Sequence, residues 1–152
     1  KKNLVIKKCK IGLGVFANKN FKKGEKILKF TGKKIKSNKL GKESERSRNI
    51  LVDPLQIGDN EFLILDKPGL FINHSCNPNC GLKGLNLIAI KIIKTGEEIT
   101  YDYSSVWFEG MKCRCGKANC RKYISDFLSL PKKIQLKYRK FGIIPGFIIN
   151  KK

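Results

Sequence analysis

No stretch of this chain approaches 18 apolar residues, so no transmembrane helix is expected. The first residues, Lys1-Lys2-Asn3-Leu4-Val5, hold neither an initiating Met nor the long apolar stretch of a signal peptide. The chain therefore reads as one that further residues can precede. No low-complexity linker divides its 152 residues, which fit one domain large enough for a real core. Gly12-Leu13-Gly14 lacks the third glycine of a dinucleotide fingerprint, and no βαβ pattern follows it. There is one histidine, His74.

Acidic residues are few and confined. Residues 1–42 carry 15 lysines against Glu25 alone, and residues 110–152 carry 12 basic residues against Asp126 alone. The centre, 43–109, holds 10 acidic and 6 basic residues. The net charge of +21 thus sits at the two ends. Basic ends suit a polyanion such as nucleic acid, and a mildly acidic centre suits a basic peptide. A lysine-rich proteome gives the same ends, since Lys outnumbers Arg 28 to 5.

Six cysteines in a chain of otherwise ordinary composition do not form a secreted disulfide framework. Cys113-Arg114-Cys115 and Cys120 make a C-x-C-x4-C cluster. That spacing is too tight for ordinary disulfides and suits three thiolates on one tetrahedral zinc, with a fourth ligand from elsewhere. Zinc implies a reducing, intracellular compartment. Cys9 and Cys80 are left over and read as buried thiols, although Cys80 lies close enough to Cys76 to rival it as a ligand.

Short apolar runs at Leu4–Lys8, Ile27–Thr31, Ile50–Val52, Phe62–Leu65 and Leu87–Ile90 predict strands. Gly, Asn and Pro lie between them, so the fold is expected to be mostly β, in small sheets. Ala17–Ile27 matches Ala89–Ile99 at six of 11 positions, each copy a strand, a glycine turn and a second strand. The echo predicts a similar β-turn unit on each side of the domain. Residues 36–49 are polar and patternless, an insertion between strands. Pro131 opens a helix carrying Ile134, Tyr138 and Phe141 on one face, and Gly142 stops it. The apolar tail, Ile143–Ile149, is expected to pack back on the body.

Three motifs follow one another: Asn73-His74-Ser75-Cys76-Asn77-Pro78-Asn79, Gly96-Glu97-Glu98-Ile99-Thr100-Tyr101-Asp102-Tyr103, and the cysteine cluster. In that order they resemble a SET-domain protein-lysine methyltransferase with a post-SET zinc site. The resemblance covers about residues 4–124 and implies several small curved sheets around a knot-like core. It divides the chain into a SET domain at 1–108 with a variable insert at 36–60, a zinc segment at 109–124, and a C-terminal helix and tail at 125–152. The cysteine-rich cluster that precedes the domain in some members is absent.

The resemblance also assigns roles. Gly12, Leu13 and Gly14 match the segment whose backbone lies against S-adenosylmethionine, where glycine permits close approach. Asn73 and His74 are the stronger cofactor contacts, and Arg114 is a weaker one. Cys76 completes the zinc set with Cys113, Cys115 and Cys120. Tyr103 is the catalytic residue, its hydroxyl placed to orient the attacking amine beside the sulfonium. Tyr101 occupies the position that sets product multiplicity, which favours mono- or dimethylation. Glu97 and Glu98 point to opposite faces of a strand and read as turn and surface charges, not as a paired-carboxylate site.

The implied substrate is a lysine in a histone or other basic, chromatin-associated protein. Asp53, Asp59, Glu61 and Asp66 are placed to attract it, and the lysine-rich ends to hold DNA. The implied location is the nucleus or nucleoid, and a microbial effector acting in a host nucleus carries the same signature. Two departures stand out. Phe30 occupies a position where many members have a channel tyrosine, and Leu70 replaces an arginine before Phe71-Ile72-Asn73-His74. Phe30 is the main support for a second reading, a non-catalytic SET-like module that binds chromatin.

Overall fold

The structure, a computed structural model, describes residues 2–39, 54–106 and 110–150. Among the described residues strand outweighs helix, 36% to 17%, as the mostly β expectation requires. The first sheet is an antiparallel hairpin of β1 (Leu4–Cys9) and β2 (Gly12–Ala17), with Leu4 opposite Ala17. On β2 the alternate residues Val15 and Ala17 enter the core, the period-2 burial of a half-buried strand.

A second sheet has the order β3 (Lys26–Lys29), β9 (Asn86–Ala89), β8 (Cys80–Lys83). A third has the order β4 (Gly32–Lys36), β6 (Glu61–Leu65), β5 (Leu55–Gln56). All of these pairs are antiparallel. Strand β5 falls within the span 36–60 expected to be an insert. The expected strand Ile50–Val52 and Asp53 lie outside the described residues.

Two short pairs build the rest. β7 (Asn73–His74) runs parallel to β10 (Thr100–Tyr101), and β11 (Met111–Lys112) pairs with β12 (Tyr123–Ile124). The main core joins faces of the first three sheets through Val15, Phe21, Phe30, Leu63, Leu82, Leu87, Ile93 and Ile99.

The two copies of the echo do not sit on opposite sides of the domain. They pair with each other about a local pseudo-dyad that relates residue n to residue n + 72. At its centre, Phe21 and Ile93 exchange N–H···O bonds of 2.8 and 3.0 Å. Ala17 N–H donates to Glu97 O at 2.9 Å, and Ala89 N–H donates to Glu25 O at 2.9 Å. Gly96 N–H donates to Ala17 O, and Gly24 N–H to Ala89 O, both at 2.8 Å. Both glycines have positive φ, 85° at Gly24 and 89° at Gly96.

The C-terminal part forms a second apolar cluster. Helix α1 (Lys132–Phe141) starts after Pro131 and ends at Gly142, whose left-handed φ of 63° lets its N–H cap the last turn. Tyr138 faces inward, and Ile143, Ile144 and Ile148 of the tail, the last on α2 (Gly146–Ile149), close over Ile90, Phe127 and Leu130. The tail therefore packs back as expected.

Candidate active site and metal centre

The site begins with the pairing of two short strands. Asn73 lies beside Thr100 and His74 beside Tyr101, and Ser75 N–H donates to Tyr101 O at 3.0 Å. The Asn79 side chain clamps the same junction. Its Nδ2 donates to Glu98 O at 2.8 Å and its Oδ1 accepts from Thr100 N–H at 2.9 Å. Two motifs far apart in sequence are thereby locked backbone to backbone.

This pairing places four rings in a row. Ring centroids are 5.9 Å apart for Phe30 and Tyr101, 4.9 Å for Tyr101 and Tyr103, and 5.4 Å for Tyr103 and His74. Phe30 is buried behind Tyr101, and Gly69 packs flat on its ring, where a Cβ would come within 2.7 Å of it. The Tyr103 hydroxyl donates to the Ile72 carbonyl at 2.8 Å. A narrow cavity of about 30 Å³ is lined by Leu55, Leu65, Ile72, Tyr101, Tyr103 and Val106.

On the other side lies a broad cleft. One part, about 390 Å³, is lined by Cys9, Lys10, Asn73, His74, Glu98 and Arg114. The larger part, about 1080 Å³, runs between Lys10 and Ile11 of the β1–β2 turn and the cysteine segment, including Met111, Arg114 and Lys117. Such volumes suit a small-molecule ligand. Tyr103 lines both the narrow cavity and this cleft.

Gly12 and Gly14 differ in what they do. Gly12 has a φ of 124° and open space where a Cβ would be, so its need is conformational. Gly14 is buried, and its missing side chain makes room for protein groups: a Cβ would lie 2.5 Å from Glu98 Oε1 and 3.2 Å from Asn73 Nδ2. The Leu13 carbonyl accepts from Asn73 Nδ2 at 2.9 Å.

His74 is buried, and burial pushes its pKa down to about 4, against the pull of the Asp102 carboxylate. The ring is therefore neutral at pH 7. Its Nδ1 accepts from Tyr103 N–H at 3.1 Å, so the ring hydrogen is on Nε2, which faces Cys76 Sγ at 3.3 Å. That tautomer directs the His74 N–H at the Cys76 sulfur.

The cysteine cluster is spaced so that it could hold a metal ion. A Zn–S distance of about 2.3 Å sets tetrahedral sulfurs roughly 3.8 Å apart, and Cys76 Sγ and Cys113 Sγ are 3.6 Å apart. The ligand atoms of His74, Cys76, Cys113 and Cys115 all lie within 4.8 Å of one another. Cys120 packs against the same group, with its Sγ 4.0 Å from the Cys113 carbonyl. Backbone N–H groups of Arg121 and Lys122 donate to Cys76 and Cys120 sulfurs, each at 3.4 Å. Burial raises the Cys76 and Cys113 thiols. It also raises Cys115, but N–H donors and neighbouring thiols outweigh burial and bring that thiol down to about 7.

The leftover cysteines separate. Cys80 is fully buried in the main core, its thiol pushed up to about 12 by burial, and it is no part of the metal-binding group. Cys9 is only half-buried and lines the cleft.

Several site residues were not visible in the sequence. Asp102, 3% exposed, is a buried hub. Its carboxylate accepts from Arg121 Nη2 at 2.7 Å, Ser104 N–H at 3.1 Å and Tyr138 hydroxyl at 2.8 Å. It joins the motif strand, the cysteine segment and α1. Arg121 therefore has the internal role, while Arg114 is exposed on the cleft wall. Glu97 fits its reading as a turn charge, its Oε2 accepting from Lys94 N–H at 2.9 Å. Glu98 does not: it is half-buried and its Oε1 accepts from Asn73 Nδ2 at 2.8 Å.

A β fold of small sheets, two motif strands in parallel register, an aromatic cavity and a cysteine cluster together define the class. The chain belongs to the SET-domain family: the model of the SET domain matches residues 12–104. It is 35% identical over 130 residues to the histone-lysine N-methyltransferase trithorax of Drosophila virilis, covering 75% of this chain and 3% of that protein. It is 33% identical over 142 residues to the variant-silencing SET domain-containing protein of Plasmodium falciparum, covering 80% of this chain and 6% of that one. With the histone-lysine N-methyltransferase ASHH3 of Arabidopsis thaliana it shares 30% over 155 residues, 87% of this chain and 40% of the relative. The chain thus spans a small part of these relatives. Its fold matches that of the Chaetomium thermophilum Polycomb Repressive Complex 2 bound to GSK126, with a TM-score of 0.62 and 22% identity, over 70% of this chain and 16% of that one. A structure of ctPRC2 bound to S-adenosylmethionine matches equally, at a TM-score of 0.62. No helix among the described residues is long and apolar enough to cross a membrane.

Proposed function

We propose that this chain transfers a methyl group from S-adenosylmethionine to a lysine side chain of a histone or other chromatin-associated protein. The observation that carries the reading is the position of Tyr103, which lines both the narrow aromatic cavity and the broad cleft. A lysine entering the narrow cavity meets a cofactor in the cleft at this tyrosine.

The cleft residues fit the cofactor. Asn73 presents an amide, and Lys10 and Arg114 offer cations to a carboxylate. Bound there, S-adenosylmethionine supplies a methyl on a sulfonium. The chain does the rest by shape and hydrogen bonding. Apolar walls at Leu55, Ile72 and Val106 disfavour the charged lysine and so favour the neutral amine that must attack. Its spare proton leaves to solvent before transfer. The Tyr103 hydroxyl, held at the Ile72 carbonyl, orients that amine. Tyr101, with Phe30 behind it, crowds the amine and favours mono- or dimethylation.

Cys76, Cys113, Cys115 and Cys120 would hold zinc and fasten the cleft wall to the motif strand. The relatives' names support a histone substrate and a nuclear location. Lysines at both ends add contacts to nucleic acid. That contact predicts an affinity for duplex DNA that falls steeply between 50 and 200 mM salt, and an affinity independent of salt would rule it out.

The test is methyl-label transfer from S-adenosylmethionine to nucleosomes, free histones and a cell lysate, with Tyr103→Phe alongside. Expected is a labelled band that falls by about 100-fold in the variant. Cofactor binding with no label on any protein, this chain included, would assign the chain instead to chromatin binding without catalysis, the reading that Phe30 favours.

A further inference from the structure

Glu98 is not needed to orient a turn, since Glu97 does that. Its carboxylate is half-buried beside the cleft, and Gly14 lacks a side chain where that carboxylate lies. The partners of Asn73 show what it does. Asn73 Nδ2 is placed against Glu98 Oε1 at 2.8 Å and the Leu13 carbonyl at 2.9 Å. Both partners are pure acceptors, so the amide can present only its NH2 to them. A third contact, Cys9 Sγ at 3.5 Å, falls on the same nitrogen. The Oδ1 is thereby turned away from these groups.

Glu98 also stands out by charge. The part of the cleft that it lines carries Lys10, Lys91, Arg114 and Lys117, with Glu97 as the only other acidic residue among the described ones. A ligand bearing a sulfonium has one more positive charge than the thioether left after methyl transfer. A basic cleft disfavours the former relative to the latter, and a carboxylate inside it counters that bias.

We propose that Glu98 is a positioning residue that fixes the Asn73 amide with its carbonyl toward the cofactor, and that its charge favours the sulfonium cofactor over the neutral thioether product. The inference rests on the cofactor reading above and deepens it. It assigns Glu98 a part in product release: once the methyl has left, the ligand has lost the charge that Glu98 favours.

The test is calorimetric binding of S-adenosylmethionine and S-adenosylhomocysteine to the full chain and to Glu98→Gln. The substitution keeps the size of the side chain and one acceptor but removes the charge. The expected result is a shift of about 5-fold in the ratio of the two dissociation constants, against the sulfonium ligand. Glu25→Gln removes the same charge from the other turn and should leave the ratio unchanged. A general loss of folding moves both affinities together and leaves the ratio alone. An unchanged ratio in Glu98→Gln overturns the charge role, and unchanged affinities for both ligands overturn the positioning role as well, while the cofactor reading stands. A wild-type chain that binds neither ligand overturns both.

Discussion

The two copies of the internal repeat share a backbone and differ in what they carry. In each, a glycine at positive φ turns the chain, and a glutamate takes the N–H of the residue three before it: Glu25 from Lys22, Glu97 from Lys94, both at 2.9 Å. The residue after that glutamate then diverges. In the first copy it is Lys26, exposed; in the second it is Glu98, turned into the cleft against Asn73. Three residues beyond the last shared isoleucine, the first copy buries Phe30 and the second buries Asp102, at 1% and 3% exposure. One copy spends its buried position on the core; the other holds a charge that ties Arg121 and Tyr138 to the motif strand. The shared hydrogen bonds set the scaffold, and the chemistry is added on one copy alone.

That comparison breaks or holds on the two buried positions. Asp102→Ala removes the anion facing Arg121 and the acceptor of the Tyr138 hydroxyl. Losing one partner of a buried pair costs about 3–5 kcal/mol, which lowers the melting temperature of a chain this size by roughly 10 °C. It should also loosen Arg121, whose backbone N–H reaches Cys76, so zinc should leave faster to a chelator. Phe30→Ala costs about 3 kcal/mol through a cavity, a slightly smaller loss of a different kind. Zinc release and cofactor affinity, measured well below the melting temperature, should be unchanged in it. Two variants that alter stability and zinc release alike would show that the copies are not divided as described.

How much of this was legible follows from where the information lies. The motifs, the mostly β class and the helix ending at Gly142 were readable, because each depends on residue types at short spacing. The strand β4 was not: Lys33, Lys34 and Lys36 surround a single inward Ile35, and an exposed sheet face leaves no apolar pattern. β7 and β10, two residues each, are too short for any periodicity and exist because of the tertiary pairing. Asp102 and Arg121 lie 19 residues apart and Asp102 and Tyr138 lie 36 apart, so no local signal joins them. The echo was seen as a pattern, but the pairing of its copies is a long-range fact that a pattern does not contain. Glu98 was misread because strand alternation says only that it faces away from Glu97, not what lies on that side.

The smallest expected effect is the sharpest test of the shared scaffold. Gly24 and Gly96 occupy nearly the same backbone conformation, and a Cβ at either would meet nothing within 4 Å. Alanine at either position therefore brings no clash, only the left-handed strain of an L-residue, about 1 kcal/mol. The two losses, read from denaturant midpoints, should agree within about 0.5 kcal/mol, the scatter expected of equivalent independent sites. Each glycine N–H donates to the alanine that begins the opposite copy, so each turn holds down the other copy's entry strand. Alanine at 24 thus strains the junction that leads away from Ala89, and alanine at 96 the one that leads away from Ala17, the end of β2. If Gly96→Ala proved several-fold costlier than Gly24→Ala, the second turn would be bearing load from the site beyond it, and the scaffold would not be symmetric in energy even though it is symmetric in geometry.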